Sequence, residues 1–348
     1  MRWSMFRADP TRKGYSPEEL GELRLAWIKK IDECVSSPIV SDNVLYIANM
    51  FGIVYAIDIN TSNIIWRSEL RIPIVSSPII HNNTIYLATF NTWIKGMRFK
   101  DTNYIIALNA EEGRVRWKQS INGDIFASPL IIDDTLFIGS LDGNIYTLDP
   151  SNGEIKVTIH TNDAVWSSPS MLDDCIVIGS DDNYLYKIDK NGEIIQRTRL
   201  DSKIRSCTPC ITPNSILIGT FDGMIYSLDH DINIKWVKKS AKSILASPAY
   251  SNEYIIFATS DNNVYCFNES GNKLWQFTSN NQFWASPAVT DRYVVISSLD
   301  ASIYMLNIKN GSIVWKFPTM DMIDSSPCIS NNMLFVASRD GILYAFKG

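Results

Sequence analysis

The chain has 348 residues, of which 45% are hydrophobic and 20% are charged, and its formal net charge is −5. Because basic residues are not in excess, the chain has no global positive field that would attract nucleic acid. No apolar stretch approaches the ~18 residues that a membrane span needs. We therefore expect neither a nucleic acid partner nor a membrane span.

The first residues, Met1 to Arg7, lack the apolar core that is typical of a signal peptide. If this start is the native one, the sequence predicts a cytoplasmic protein.

We expect residues 1–22 to form a lead-in segment and residues 23–348 to form a single domain. The protein is expected to be a monomer.

A repeat of about forty residues runs through the rest of the chain, and each copy carries a proline at the start of a short apolar run. A fixed period of this length indicates a repeat architecture and overrides the two-domain expectation that length alone would give. The eight prolines are Pro38, Pro78, Pro129, Pro169, Pro209, Pro248, Pro287 and Pro327.

Each copy contains four short β-rich runs that are separated by turn residues. The middle runs, such as residues 44–48 and 53–58, are almost continuously apolar, which indicates strands that are buried on both faces. Propeller blades meet this condition because each sheet packs between two neighbours. The sequence therefore predicts an all-β fold, an eight-bladed β-propeller of four-stranded antiparallel blades.

A tryptophan recurs near the start of most fourth runs, seven or eight residues after an Asp or Asn that we expect to cap a turn. We interpret these rings as packing between blades. They are Trp66, Trp117, Trp236, Trp275 and Trp315. The last copy ends after three strands, and residues 23–28, with Trp27, resemble a fourth run. We expect this N-terminal strand to complete the last blade and close the ring.

Several segments resemble the pyrroloquinoline-quinone-type, or quinoprotein-like, propeller family. Residues 56–61, which lead to Trp66, and residues 148–153 are similar to its tryptophan-docking repeat, and residues 3–14 are similar to its N-terminal lead-in. The family includes quinoprotein dehydrogenases and the periplasmic lipoprotein that assists outer-membrane protein assembly. The dehydrogenases use a vicinal cysteine disulfide, a calcium ion and an Asp base. This chain has no Cys-Cys pair, so we expect no bound quinone, calcium or other cofactor.

In a propeller, the second-to-third turns and the fourth-to-first connections share one face, which we call the funnel face and which is the usual ligand surface. The second copy carries an eleven-residue insertion there, within residues 91–103. Long exposed loops with aromatic and basic side chains are often functional. The partner-binding candidates in this loop are Trp93, Arg98 and Phe99.

The approach to each inner strand, three to six positions before the repeat proline, provides a second candidate set on the funnel face. We expect an aromatic rim, a positive sector and a negative sector, which suits an extended peptide or protein segment. The basic residues are expected to select an acidic stretch. The set comprises the aromatic residues Phe126, Trp166, Phe283 and Trp284, the basic residues Lys203, Arg205 and Lys242, and the acidic residues Asp32, Glu33, Asp321 and Asp324.

Two other clusters have structural interpretations. An Asp recurs in the second-to-third turns of six copies, but Asp-Gly is an ordinary hairpin signal and carboxylates on separate blades are too far apart to share one ion.

Cys207 and Cys210 have the spacing of a redox or zinc pair. The repeat explains the positions of both cysteines, and we expect them to be reduced core residues.

The sequence therefore favours a non-enzymatic binding or scaffold propeller that recognises a peptide or protein partner through its funnel face. Two alternatives stay open. One is an enzyme that acts on a peptide or small molecule in the funnel. The other is a periplasmic assembly factor like the lipoprotein relative.

Overall fold

The computed structural model describes residues 3–91, 103–239 and 242–348. These residues form eight four-stranded antiparallel sheets. The fold is an eight-bladed β-propeller, as the repeat predicts. The described ranges include no helix that is long and apolar enough to cross a membrane.

The strands are numbered in chain order, and blades one to four follow the repeat. Strand β1 spans Arg24–Lys30. Blade one contains β2 (Ile39–Ser41), β3 (Val44–Ala48), β4 (Ile53–Asp58) and β5 (Ile64–Glu69). Blade two contains β6 (Ile79–His81), β7 (Thr84–Ala88), β8 (Asn103–Asn109) and β9 (Val115–Ile121). Blade three contains β10 (Leu130–Ile132), β11 (Thr135–Gly139), β12 (Asn144–Leu148) and β13 (Ile155–His160). Blade four contains β14 (Ser170–Leu172), β15 (Cys175–Gly179), β16 (Tyr184–Asp189) and β17 (Ile194–Arg199).

Blades five to eight continue the same order, and the last blade has only three strands of its own repeat. Blade five contains β18 (Cys210–Ile211), β19 (Ile216–Gly219), β20 (Met224–Leu228) and β21 (Ile234–Lys239). Blade six contains β22 (Ala249–Ser251), β23 (Tyr254–Ala258), β24 (Asn263–Phe267) and β25 (Lys273–Thr278). Blade seven contains β26 (Ala288–Val289), β27 (Tyr293–Ser298), β28 (Ser302–Asn307) and β29 (Ile313–Pro318). Blade eight contains β30 (Cys328–Ser330), β31 (Met333–Ala337) and β32 (Ile342–Lys347).

Burial explains why apolar and polar residues do not alternate along the middle strands, whereas they do along the outer strands. Strands such as β3 and β7 are buried along nearly their whole length, because both of their faces pack against neighbouring blades. The fourth strands, such as β5 and β29, alternate between partly buried and exposed side chains. The core therefore lies between blades, and each blade contributes two inner faces to it.

The N-terminal strand closes the ring as predicted. Strand β1 pairs antiparallel with β32, and the register places Trp27 opposite Ala345 and Lys30 opposite Ile342. The last sheet therefore has the order β1-β32-β31-β30. Closure removes two unpaired blade edges, which would otherwise be sites for aggregation.

The recurring tryptophans connect neighbouring blades, which confirms their structural interpretation. Five of the indole N–H groups donate to a backbone carbonyl in the third-to-fourth turn of the next blade. These bonds join Trp27 to Ile59 (2.8 Å), Trp66 to Ala110 (2.8 Å), Trp117 to Pro150 (2.9 Å), Trp236 to Glu269 (2.9 Å) and Trp275 to Ile308 (2.7 Å). Trp315 packs instead on Phe346 and Phe317, because the strand that completes the next blade comes from the other end of the chain.

The expected Asx caps are present in the same turns. The carboxylate of Asp58 accepts from the backbone N–H groups of Asn60 and Thr61, and the amide oxygen of Asn109 accepts from those of Glu111 and Glu112. A side chain that bonds its own turn in this way fixes the turn conformation. The turn fixed in this way presents the backbone carbonyl to which the tryptophan of the preceding blade donates.

Residues 3–16 form a segment inside the central channel that the repeat does not predict. Its backbone carbonyls accept hydrogen bonds from the residue two positions after the repeat proline in six blades. The bonded pairs are Val40 to Trp3, Ile80 to Ser4, Met171 to Pro10, Ile211 to Thr11, Tyr250 to Lys13 and Val289 to Gly14, at 2.8–3.1 Å. The segment therefore satisfies inner-strand N–H groups that have no neighbouring strand.

Two buried arginines also bond this channel segment to blades three, four, six and seven. Arg12 donates to the carbonyl oxygens of Pro129 (2.9 Å) and Pro169 (3.2 Å). Arg7 donates to those of Pro248 and Pro287. Burial lowers the pKa of Arg12 to about 9 and that of Arg7 to about 10, so both are charged at neutral pH. Their guanidinium groups replace water as donors to carbonyls that the channel would otherwise leave unpaired.

Candidate functional site

The funnel face is built by one backbone contact that recurs in every blade. The second-to-third turn of each blade donates an N–H to the connection that enters the same blade. The donor and acceptor pairs are Met50 and Glu33, Phe90 and Pro73, Leu141 and Asp124, Asp181 and Ala164, Phe221 and Lys203, Ser260 and Ser243, Leu299 and Gln282, and Arg339 and Met322. These contacts place turns and connections side by side on one surface.

A cavity of about 320 Å³ lies on the ring axis at this face. The residue three positions before each repeat proline lines it, so that every blade contributes one side chain to an upper ring. Six of the eight are apolar, which makes the cavity wall a hydrophobic collar. The upper ring consists of Val35, Val75, Phe126, Trp166, Ser206, Leu245, Trp284 and Asp324.

Directly before the prolines, a second ring of hydroxyl groups lines the cavity below the collar. In seven of the eight steps around the ring, a backbone N–H donates to the hydroxyl oxygen of the equivalent serine in the next blade, at 2.9–3.1 Å. These hydroxyls therefore join the inner strands of adjacent blades. The cavity-lining members are Ser37, Ser77, Ser128, Ser168, Ser286 and Ser326.

The serine ring is interrupted in blade five, where the connection is one residue longer. The buried Ile204 lies five positions before Pro209, whereas the equivalent Ile244 lies four positions before Pro248. Both Arg205 and Ser206 consequently reach the cavity. The extra residue is accommodated at Ser206, which has a φ of 54°.

Phe6 of the channel segment also lines the cavity. The inner strands run away from the funnel face after their prolines, and the segment pairs with residues two positions beyond those prolines. Phe6 therefore forms the floor, beneath the serine ring. The cavity is a well that is closed below by the channel segment and open at the funnel face.

The aspartates of the second-to-third turns perform the turn chemistry that the sequence predicts. In five blades the carboxylate accepts a hydrogen bond from a tyrosine hydroxyl four residues later. The pairs are Asp142 and Tyr146, Asp182 and Tyr186, Asp261 and Tyr265, Asp300 and Tyr304, and Asp340 and Tyr344. Within the three described ranges, no three His, Cys, Asp or Glu side chains are close enough to hold one metal ion.

The structure brings three of the predicted aromatic residues together and places the fourth elsewhere. Phe126, Trp166 and Trp284 line the cavity, and the Phe126 and Trp166 rings are 5.6 Å apart. Phe283 is 0% exposed and packs in the core between blades. We therefore leave Phe283 out of the candidate site.

The predicted basic residues divide into bonded and exposed ones. Lys203 forms an ion pair with Asp163 at 3.0 Å, and Arg205 bonds the buried carboxylate of Asp181 while its guanidinium lies over Trp166. Lys242 is exposed. The insertion candidates Trp93, Arg98 and Phe99 lie outside the described residues.

Arg339 and Asp324 form a second ion pair at the cavity that the sequence did not single out. Arg339 donates to one carboxylate oxygen of Asp324, whose side chain is largely buried. Burial raises the pKa of Asp324. Blade eight, which carries this pair, lies opposite blade four, where Asp181 binds Arg205. No sequence signal joins residues 324 and 339, since the pairing depends on the funnel-face contact between connection and turn.

The cavity residues do not fit a quinone cofactor of the dehydrogenase type. No cysteine is among the described residues that line the cavity, and Cys207 and Cys210 are buried thiols whose pKa burial raises to about 12. Asp324 is the carboxylate among the lining residues, and Arg339 already binds it. The donor set therefore lacks both the vicinal cysteines and the carboxylate and amide ligands that the resemblance would require.

Comparison with known proteins gives one family match and several relatives. The family model described as outer membrane protein assembly factor BamB matches residues 18–156 and 260–348. The outer membrane protein assembly factor BamB of Legionella pneumophila is 26% identical over 129 residues, which are 36% of this chain and 30% of the relative. The match thus spans under a third of that curated relative's length.

Two solved structures show the same fold. BamB from Moraxella catarrhalis superposes with a TM-score of 0.80 at 20% identity and covers 94% of this chain and 98% of its own. Quinohemoprotein alcohol dehydrogenase from Comamonas testosteroni gives a TM-score of 0.85 at 12% identity, over 99% of this chain and 80% of its own. At these identities the likeness concerns the fold alone.

The predicted cytoplasmic location is wrong. The matching family and the Legionella relative are both named for the assembly of outer membrane proteins. The prediction depended on the first seven residues alone, and the apolarity of so short a segment does not decide the compartment of a protein.

Proposed function

Because this chain belongs to the outer membrane protein assembly factor BamB family, we propose that it is a non-enzymatic binding propeller that recognises a segment of a partner protein through its funnel face. The family name supports a role in the assembly of outer membrane proteins, and we include that role in the proposal. Its partner would then be another protein of that assembly process.

The observation that carries the proposal is the collar of one side chain per blade around an open well. Six apolar residues at the loop-rich face, of which Trp284 is 44% exposed, are the features of a protein-binding surface. Aromatic anchors in such pockets often contribute most of the binding energy. The closed floor at Phe6 limits entry to this face.

The lining also supports a binding role over a catalytic one. The polar groups that reach the well are serine hydroxyls engaged between blades and two arginine–aspartate pairs. Among the described residues, the lining includes no histidine or lysine, and Asp324 is held by Arg339. A hydroxyl nucleophile would need an adjacent base, which these groups do not supply.

Replacing Trp166 and Trp284 by Ala is expected to weaken capture of the partner strongly. Each truncated anchor costs about 2 kcal/mol, or roughly 30-fold in affinity, when it fills a pocket at an interface. The measurement is a pull-down with the tagged protein from an envelope extract of the cells that make it, quantified against the unmodified protein. The melting temperature should change little, because both side chains lie at the funnel face.

The matched control is the pair Ile195→Ala and Val314→Ala, which removes two exposed apolar side chains from the outer strands β17 and β29. This control should capture the partner as the unmodified protein does. Equal capture by both double variants would show that the funnel collar does not bind the partner.

A further inference from the structure

In its described turns and connections, the funnel face carries far more acidic than basic side chains. Its basic residues are Arg71, Lys203, Arg205, Lys242 and Arg339. Its acidic residues are Asp32, Glu33, Asp124, Asp142, Asp163, Asp181, Asp182, Asp201, Asp222, Asp261, Asp300, Asp321, Asp324 and Asp340. Both sets are taken from the described turns and connections. The remainder of the chain is correspondingly more basic, since the whole chain has a net charge of only −5.

Three of the five basic residues are already neutralised on the same face. Lys203 pairs with Asp163, Arg205 with Asp181, and Arg339 with Asp324. The positive sector that the sequence indicates is therefore largely compensated. An incoming segment would meet a negative potential over most of the described funnel face.

Three of the five exposed large apolar side chains in the described turns and connections lie in the acidic part of this face, in blades eight and one. Met320 is 88% exposed and Met322 is also exposed, and these two residues flank Asp321 in the connection into blade eight. Phe51, which is 54% exposed, lies in the second-to-third turn of blade one. Methionines are flexible and polarizable, and they are common where a surface must adapt to a partner.

Backbone contacts join these residues into one patch. The N–H of Met320 donates to the carboxylate of Asp340 at 3.1 Å, and the N–H of Ile31 donates to the carbonyl of Gly341 at 2.8 Å. Met50, next to Phe51, donates to the carbonyl of Glu33 at 3.0 Å. We call the surface formed by Asp32, Phe51, Met320, Asp321, Met322 and Asp340 the acidic methionine patch.

We propose that the acidic methionine patch binds a basic amphipathic segment of the partner protein, in which Lys or Arg residues alternate with apolar ones. The apolar side chains contact Met320, Met322 and Phe51, while the basic side chains lie against Asp32 and Asp321. This inference rests on the proposed function, because it assumes that the partner docks on the funnel face. It reverses the acidic partner that the sequence indicated.

Two labelled peptides test this choice of partner chemistry. Both carry the same apolar residues, and the polar positions are Lys in one and Glu in the other. Binding is measured by fluorescence anisotropy at low and at high salt. The Lys peptide should bind and should weaken as salt rises, because exposed charge pairs are screened. The Glu peptide should not bind.

Two variants with equal charge changes test the location. The first carries Asp32→Asn and Asp321→Asn in the patch. The second carries Asp134→Asn and Asp173→Asn in first-to-second turns on the opposite face. The first should weaken the Lys peptide about tenfold at low salt, and the second less than twofold. Thermal melting confirms that both are folded.

Equal loss in both variants would mean that net charge alone attracts the peptide, and it would overturn the proposal. Binding of the Glu peptide, or the failure of both peptides to bind, would also overturn it. The proposed function fails separately, when a partner captured from cells does not contact the funnel face at all. Met320→Ala with Met322→Ala should weaken the Lys peptide even at high salt, since apolar contacts are not screened.

Discussion

Deleting residues 1–31 is expected to abolish the cooperative unfolding of the propeller. The deletion removes β1, which pairs along β32, and the channel segment that bonds the inner strands of six blades. It also removes both buried arginines. Two unpaired blade edges would then be exposed, and such edges promote aggregation. Calorimetry should show no sharp transition, and light scattering should show large particles.

A shorter deletion separates ring closure from channel filling. Removing residues 1–22 leaves β1 in place but deletes the channel segment. This variant should stay soluble and melt at a lower temperature, because carbonyls such as those of Pro129 and Pro169 lose their donors. A 1–31 deletion that melts like the full chain would show that the N-terminal strand does not close the ring.

Gly153→Ala is expected to destabilise the protein by about 3 kcal/mol or more. Gly153 has a φ of +80°, where a residue with a side chain is strained by roughly 1–2 kcal/mol. A Cβ atom there would also lie 2.5 Å from the Trp117 ring, which must then move and strain its bond to Pro150. Overpacking of this kind typically costs 1–3 kcal/mol more.

Gly143→Ala is the matched control for Gly153→Ala. Gly143 has a φ of +81°, but its Cβ would meet no atom closer than 3.5 Å. Its substitution should therefore cost only the backbone strain of roughly 1–2 kcal/mol. Both free energies of unfolding are measured by urea denaturation. Equal losses would contradict the claim that close tryptophan docking joins the blades.

The repeat made most of the architecture predictable because its signals recur eight times. The proline positions gave the blade number, and the similarity of Trp27 to the other fourth-strand tryptophans gave the ring closure. Asp58 and Asn109 cap their turns through short-range bonds that any sequence with the same spacing would form. Features set by local spacing are therefore recoverable from the sequence.

Features outside the repeat were not predictable. Arg7 and Arg12 lie before the first repeat, so no recurring pattern indicated that they bind carbonyls of distant blades. The distinction between Phe283 and Trp284 depends on a single position in an irregular connection. One signal was present: the residue four positions before the proline is aliphatic in most copies, as Ile244 and Ile323 are, which marks that position as core.

The ion pairs on the funnel face could not be predicted from the sequence either. Lys203 and Arg205 looked like a positive sector, but their partners Asp163 and Asp181 belong to blade four, about twenty to forty residues earlier in the chain. Only the side-by-side arrangement of connections and turns brings these groups together. The electrostatics of a repeat surface therefore has to be derived from the fold.

Site-specific photo-crosslinking in the cells that make the protein tests most directly whether the funnel face binds the partner. A photoreactive amino acid is placed at position 284, in the cavity collar of blade seven, or at position 309, in the third-to-fourth turn on the opposite face of the same blade. The account predicts one discrete protein adduct from position 284 and none from position 309. An adduct from position 309 alone would contradict it.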